Sequence, residues 1–158
     1  MIERERKFLV DPSVEVMLTG RGIVGKLHTA SYFTRPPMPA VRVTFSPTTG
    51  KAKFCIKFPM DNPEDREELE ETITPANAIR AIERGPTKLV KVRHDVDGWE
   101  IDRFVTFPLY LAEWERDEGK VSIPDPLPPW IIREVTDDPG YTNQALAWIY
   151  GIQSQNLP

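Results

Sequence analysis

The sequence has little of what would mark several common protein classes. It contains one cysteine, Cys55, so no internal disulfide can form, which fits a reducing compartment. No apolar run approaches the roughly 20 residues of a membrane-spanning helix, and no signal-peptide pattern is present. The two histidines lack zinc-like spacing, and no Gly-Lys-Ser/Thr phosphate-binding loop occurs. We therefore expect a cytoplasmic protein without membrane association.

Length and charge indicate one domain with no general affinity for nucleic acid. The 158 residues suit a single domain spanning 1–158, and 40% hydrophobic content is enough for one core. A formal net charge of −4 argues against bulk nucleic-acid binding. The prolines cluster in connections such as 36–39 and 124–129, which indicates loops rather than disorder. The sequence leaves monomer and homodimer open.

The amino-terminal stretch has an unusual alternation of side chains. As a strand over residues 1–10, it has one apolar face with Ile2, Phe8 and Val10 and one polar face with Glu3, Glu5, Lys7 and Leu9. The polar face carries two carboxylates and an ammonium where a strand usually buries aliphatic side chains. This pattern fits a barrel with a polar interior, and it also fits a solvated edge strand.

Seven later segments repeat the alternation of an apolar and a charged face. It predicts strands at 24–34, 40–45, 51–58, 66–73, 89–94, 99–105 and 108–115, and helices at 11–18, 75–84 and 142–150. The Glu-rich segment 66–73 also suits a helix, but its β-branched end favours a strand. From Pro124 we predict loop, with a turn around Trp130, until the last helix. The predicted fold class is α+β, with about eight antiparallel strands and a few flanking helices.

The charges on the polar faces are sorted by sign along the chain. The first and last strands supply the carboxylates Glu3, Glu5, Glu113 and Glu115, and the middle strands supply the cations Arg42, Lys53, Lys57, Lys91 and Arg93. An open sheet with one wet side shows the same alternation, but a solvated face has no reason to sort its charges by strand. Clustered carboxylates suit Mg²⁺ or Mn²⁺, and clustered cations suit a polyanion. The pattern favours metal-dependent phosphoryl transfer from a polyphosphate.

These motifs resemble those of a known family. Glu3-Arg4-Glu5-Arg6-Lys7 resembles the Glu-x-Glu-x-Lys signature of the CYTH superfamily, the triphosphate tunnel metalloenzymes. The resemblance continues through 40–43, 54–57, 66–70, 91–93, 99–102 and 112–115, and the tail at 132–143 matches short bacterial members, so it covers essentially the whole chain. It implies an eight-stranded antiparallel β-barrel, a tunnel that binds a triphosphate-containing small molecule together with Mg²⁺ or Mn²⁺.

The resemblance also implies roles for single residues. The metal-site positions match Glu3, Glu5, Glu113 and Glu115, and Glu68, Glu70 and Asp102 are further acidic candidates. The phosphate-binding positions match Lys7, Arg42, Lys57, Lys91 and Arg93. Lys7 and Tyr32 match a lysine and a tyrosine that are linked to hydrolysis in tripolyphosphatase-like members. We add Lys53 as a phosphate-binding candidate, and also Arg133, which could instead form a salt bridge with Glu134 or Asp137.

Three positions depart from the family pattern and leave the function open. Thr44 stands where a second arginine is common, Ala30 where a glutamine is usual, and Thr72 where a third acidic residue often follows. The loss of a cation and an amide weakens the contacts available to a triphosphate. Three functions therefore remain: hydrolysis of tripolyphosphate or of a small organic or nucleoside triphosphate, class IV-like adenylate cyclase activity, and sequestration of a nucleotide or polyphosphate without cleavage.

Several other polar residues have simpler interpretations. Lys26, Lys51 and Arg103 are interpreted as surface or flanking charges, although Lys26 could compensate for a missing cation. The histidines are interpreted as structural or solvated, and Cys55 as a small interior residue.

Overall fold

The fold is a closed barrel of eight antiparallel strands, as predicted. The computed structural model describes residues 1–116 and 122–153. The barrel strands are β1 (Ile2–Val10), β2 (Lys26–Tyr32), β3 (Ala40–Phe45), β4 (Ala52–Pro59), β5 (Asp65–Thr72), β6 (Thr87–Val96), β7 (Trp99–Phe104) and β8 (Tyr110–Glu115). They pair in the order β6-β2-β3-β4-β5-β1-β8-β7, and a further pairing of β7 with β6 closes the barrel. The α+β fold class is confirmed.

The apolar faces of the strands point outward, so the main core lies between the barrel wall and the elements that cover it. The helix α1 (Val14–Gly20) packs Val14 and Leu18 against a cluster that includes Phe8 and Trp99. The helix α2 (Pro75–Arg84) buries Ala78 and Ile82 against β3 and β4. Because apolar burial is satisfied on the outside, the interior is left to the alternate, mostly polar residues.

Local signals fix the two longer connections that carry these helices. Thr74 caps α2 by accepting a hydrogen bond from the Asn77 amide at 3.2 Å, and Pro75 occupies the first turn, where its missing N–H costs nothing. The first helix begins at Val14 rather than at Asp11, because the Asp11 carboxylate accepts from the Ser13 amide at 2.8 Å in a preceding turn. None of the described helices is long and apolar enough to span a membrane.

The region after Pro124 holds structure that the sequence prediction missed. A strand β9 (Ile131–Glu134) pairs antiparallel with the second half of β1, so the prediction of loop there is wrong. A 3₁₀ turn (Pro139–Tyr141) and the helix α3 (Asn143–Ile149) follow, and a short strand β10 (Ile152–Gln153) pairs with the start of β6. Four residues are too few to show an alternation, and β9 exists because β1 offers it a hydrogen-bonding edge.

Candidate active site

The barrel encloses a cavity of about 1010 Å³. Most of the predicted site residues border it: Glu3, Glu5, Tyr32, Arg42, Lys53, Lys57, Glu68, Glu70, Lys91, Arg93, Glu113 and Glu115. The register explains the convergence, because Lys57 lies opposite Glu68 and Glu5 lies opposite Glu115 on neighbouring strands. Residues opposite one another share a face of the sheet, so the inward charges of adjacent strands become neighbours.

Lys7, a predicted catalytic and phosphate-binding residue, lies beside the cavity between two carboxylates that border it, but it is not itself a lining residue. Its side chain is nearly buried, and its ammonium nitrogen is 3.2 Å from Glu113 Oε1 and 3.6 Å from Glu5 Oε1. Burial alone would lower the pKa of Lys7, but the charges of Glu113 and Glu5 outweigh it and raise that pKa. Lys7 is therefore a fixed positive charge between two candidate metal ligands.

The two carboxylates beside Lys7 differ in their electrostatics. Burial and the negative charge of Glu113 raise the pKa of Glu5, although Lys7 acts in the opposite direction. Burial would also raise the pKa of Glu113, but Lys7 and Arg93 hold it well below its usual range. Glu113 therefore stays ionised, and Glu5 carries most of the repulsion between the two.

A second network is organised by Arg93. Its guanidinium donates to Glu113 Oε2 at 2.6 Å, to Asp102 Oδ1 and Oδ2 at 2.7 Å each, and to the carboxylate of Glu100. Lys91 donates to Asp102 Oδ2 at 2.5 Å. Asp102 is only 1% exposed and does not border the cavity, so it faces the two cations and fixes their positions. Burial raises the pKa of Glu100 to about 7, despite the nearby Arg93.

The remaining cations lie on β3 and β4. Lys57 forms ion pairs with Glu3 and, at 3.2 Å, with Glu68, and Lys53 pairs with Glu70. Arg42 differs from them, because within the described part of the chain no carboxylate forms an ion pair with it. Its Nη1 donates to the Tyr32 hydroxyl at 3.3 Å, and its Nε is buried without a hydrogen-bond partner. Arg42 therefore keeps a donor for an anion.

The carboxylates fit a hard divalent cation. Glu5 stands directly opposite Glu115, and Glu113 stands opposite Glu100 with Arg93 bonded to both. Lys7 offsets only part of the repulsion at Glu5, because burial and Glu113 still raise the pKa of Glu5. Oxygen ligands of this kind suit Mg²⁺ or Mn²⁺.

A mixed group of one thiol and two carboxylates lies on β4 and β5. Ligand atoms of Cys55, Glu68 and Glu70 lie within 4.8 Å of one another, and Glu68 Oε2 is buried without a hydrogen bond. Burial raises the pKa of the Cys55 thiol, and the thiol is a poorer ligand than a carboxylate for a hard cation such as Mg²⁺. This group therefore suits a metal less well than the carboxylates of β1 and β8 do.

The structure also brings residues to the cavity that sequence reasoning did not assign to it. Lys26 and Lys51 border it and are also partly or fully exposed, so they are charges of its mouth rather than of the outer surface. His28 borders it too; burial and the charges of Arg93 and Lys91 lower the pKa of His28 to about 4. The alternation is the signal that could have found them, because Lys26 and His28 are in phase with Tyr32 on β2, and Lys51, just before β4, is in phase with Lys53 and Lys57.

Two carboxy-terminal residues differ from the sequence prediction in opposite ways: one borders the cavity without having been predicted, and the other was predicted and does not. Asn143, the first residue of α3, borders the cavity with its Nδ2 at 3.5 Å from Glu113 Oε1, and no sequence signal indicated this. Arg133 does not border the cavity; it is exposed, with its guanidinium carbon 5.5 Å from the centroid of the Tyr141 ring. The alternative, a salt bridge of Arg133 with Glu134 or Asp137, is not found among the described residues either, and Glu134 pairs with Arg6.

Comparison with known proteins supports the fold. No protein-family model matches the sequence, and no curated protein matches it. The solved structure of the inorganic triphosphatase NE1496 is similar with a TM-score of 0.57 and 25% identity over 92% of this chain and 97% of that one. The PH1012 protein of Pyrococcus horikoshii OT3 is similar with a TM-score of 0.53 and 23% identity over 75% of this chain and 80% of that one. A putative adenylate cyclase (bh2851) of Bacillus halodurans has a TM-score of 0.57 and 17% identity over 73% and 81%. The last two similarities show the fold alone.

Proposed function

We propose that the chain is a member of the CYTH superfamily of triphosphate tunnel metalloenzymes and acts as a divalent-metal-dependent triphosphatase. The proposed substrates are inorganic tripolyphosphate and small organic or nucleoside triphosphates. The observation that carries the proposal is one cavity in which cations of the four strands β2, β3, β4 and β6 lie among carboxylates of β1 and β8. Similarity to an inorganic triphosphatase supports it.

The cations would hold the polyphosphate by its oxygens. Arg42 has an unpartnered Nε, and a guanidinium can bind two phosphate oxygens at once. Lys91 and Arg93 are held in place from behind by Asp102, so they are preorganised for a second phosphate. Lys53 and Lys57 would exchange a carboxylate for a phosphate oxygen when the substrate enters.

Glu3, Glu5, Glu113 and Glu115 would hold the divalent ion, with Glu68 and Glu70 as further acidic groups nearby. When bound, Mg²⁺ or Mn²⁺ supplies Lewis-acid neutralisation of the charge on the phosphate oxygens.

Lys7 and Tyr32 are the proposed hydrolytic residues. The raised pKa of Lys7 keeps its ammonium protonated, so it can stabilise negative charge that develops on the phosphate being cleaved. The Tyr32 hydroxyl accepts a hydrogen bond from Arg42, which leaves its own proton to donate to a phosphate oxygen. Tyr32 is 3% exposed, so its hydroxyl is held in one orientation with little competition from bulk water.

The test is phosphate release from tripolyphosphate and from ATP, measured with Mg²⁺, with Mn²⁺ and with a chelator. We expect metal-dependent release, and we expect its loss in the double variant Glu5→Gln/Glu115→Gln, which removes two negative charges with little change in shape. Turnover of the wild type no faster than that of the double variant would refute the proposal. Cyclic AMP and pyrophosphate as the products of ATP would instead indicate the cyclase.

One observation favours a second candidate, a protein that binds triphosphate without cleaving it. Ala30 lies directly opposite Thr44, and both border the cavity, so the two departures from the family pattern form one stretch without charge or amide. A scissile bond misplaced by about 1 Å can cost on the order of 10² in rate. Calorimetry with tripolyphosphate, followed by analysis of the recovered ligand, separates the two candidates: tight binding of unchanged ligand supports the binder, and cleavage excludes it.

A further inference from the structure

The main chain of Lys7 is held by the segment that follows β9. The Lys7 amide donates to Thr136 Oγ1 at 3.0 Å, and the Lys7 carbonyl accepts from the Val135 amide at 2.8 Å. Both groups of this residue are therefore anchored to a segment about 130 residues away in sequence. A buried or half-buried amide that loses its partner costs free energy, so this anchor restrains β1 at the position of Lys7.

The Thr136 hydroxyl has the right chemistry for a fixed anchor. A hydroxyl has a single proton, and for Thr136 the nearer acceptor is Glu134 Oε1 at 2.8 Å, whereas the Lys7 carbonyl is at 3.4 Å. Donation to Glu134 leaves the hydroxyl lone pairs for the Lys7 amide. Glu134 in turn accepts two hydrogen bonds from Arg6, at 2.8 and 2.7 Å. The Arg6–Glu134 salt bridge therefore orients the Thr136 hydroxyl, and this hydroxyl fixes the backbone from which the Lys7 side chain points inward.

The same segment reaches the inner end of the Lys7 side chain only weakly. The ammonium donates to the Tyr141 carbonyl at 3.4 Å, and Asn143 Nδ2 lies 3.5 Å from Glu113 Oε1. These contacts are at the long limit of hydrogen bonding. The position of the ammonium therefore depends on its two carboxylates and on where the backbone of β1 places the side chain.

We propose that Thr136, on the outer side of the barrel wall, is a positioning residue for Lys7. The proposal rests on the proposed function, in which the Lys7 ammonium stabilises charge on the phosphate. Without the hydroxyl, the Lys7 amide has no acceptor and β1 relaxes locally. The ammonium then moves relative to Glu5 and Glu113, although the other phosphate-binding residues, on β3, β4 and β6, stay in place.

Four single variants test the proposal in the full-length protein. In Thr136→Val, kcat for tripolyphosphate should fall by about 10- to 100-fold while KM changes by less than about threefold, since a shift of about 1 Å can cost 10² in rate. Thr136→Ser keeps the hydroxyl and should retain the wild-type kcat. Thr74→Val removes a matched threonine hydroxyl that caps α2 on the outside, and it should lower the melting temperature without changing kcat. Glu134→Gln changes an exposed side chain and keeps the proposal testable if Thr136→Val does not fold. Its kcat should also fall, but by a smaller factor than in Thr136→Val.

A double-mutant cycle shows whether Thr136 acts through Lys7. In the Lys7→Met background, Thr136→Val should cause no further loss of kcat, because the group that it positions is gone. An equal fold loss in both backgrounds would overturn the proposal.

Side-chain NMR of Lys7 gives a readout that needs no turnover. The Lys7 ammonium signal, assigned by its loss in Lys7→Met, should shift in Thr136→Val and less in Glu134→Gln, and it should not move in Thr74→Val. An unmoved signal in folded Thr136→Val and Glu134→Gln contradicts the proposal, whether or not the wild type hydrolyses triphosphate. Absence of turnover in the wild type refutes only the proposed function.

Discussion

Replacing Lys7 with methionine tests the electrostatics of the site most directly. The methionine keeps the length and much of the volume of the side chain but removes the ammonium, which lies 3.2 Å from Glu113 and 3.6 Å from Glu5. The two carboxylates, 6% and 21% exposed in their side chains, would then repel each other without a cation between them. We expect the metal-free protein to be strongly destabilised.

The size of the effect follows from the burial of the pair. Removal of one partner of a buried ion pair costs about 3–5 kcal/mol, because an uncompensated charge is left in a poorly solvated place. In a domain of this size each kcal/mol lowers the melting temperature by about 2–4 °C, so the expected fall is roughly 6–20 °C. A solvated edge strand, the other interpretation of the amino terminus, predicts a change within about 0.5 kcal/mol.

Thermal melts of matched variants measure this effect. Lys26→Met removes a lysine whose ion pair with Asp95 is about half exposed, and it should change stability by less than about 1 kcal/mol. Adding Glu5→Gln to Lys7→Met removes one of the two repelling charges and should recover part of the loss. Millimolar Mg²⁺ should raise the melting temperature of Lys7→Met more than that of the wild type, because the ion replaces the ammonium between the carboxylates. Equal shifts in Lys7→Met and Lys26→Met, unaffected by Mg²⁺, would refute the reasoning.

Three further predictions follow from the same contacts. Because the pKa of Glu5 is raised in the folded protein, its ionisation opposes folding at neutral pH, and metal-free Glu5→Gln should melt at or above the wild-type temperature there. The difference should shrink as the pH falls below the folded-state pKa of Glu5. A lower melting temperature of the variant at neutral pH would contradict this. The folded-state pKa of His28, about 4, lies below the usual value of about 6.5, so the unfolded chain binds more protons between these values. Wild-type stability should rise with pH across that window, and His28→Gln should flatten the rise in melts at a series of pH values; an unchanged slope would exclude His28 as the cause. Arg42→Lys loses the guanidinium fork but breaks no carboxylate ion pair, so calorimetry should show about tenfold weaker tripolyphosphate binding, and undiminished affinity would remove Arg42 from the anion site.

Much of the barrel could be predicted from local pattern. The alternation of β1 places Phe8 and Val10 outward in an apolar cluster and Glu3 and Glu5 inward, as expected. A period of two is a property of a single strand, so it can be recognised without knowing which strands pair with it. The Asp97-Gly98 pair is a local signal of the same kind: it favours a two-residue hairpin turn, and in the structure both residues adopt positive φ, at 51° and 86°.

The partners of the charges could not be predicted in this way. Sorting by strand suggested carboxylates on one wall and cations on the other, whereas Arg93 of β6 reaches Glu113 of β8 and Lys57 of β4 reaches Glu3 of β1. The strand sequences do not contain the shear and closure of the barrel, which determine the residues that meet across it. The carboxylates and cations are therefore interleaved.

The sequence by itself determined the period of each strand, the inward position of its charges and the resemblance that named the ligand class. The tertiary structure alone decided that β9 pairs with β1, that Asn143 enters the cavity and Arg133 stays outside, and that Thr136 holds Lys7. The physical reason is the range of the interactions. Side-chain alternation is set by the backbone of adjacent residues, but the hydrogen bond from Lys7 to Thr136 joins groups 129 residues apart, which approach each other only when the barrel has closed.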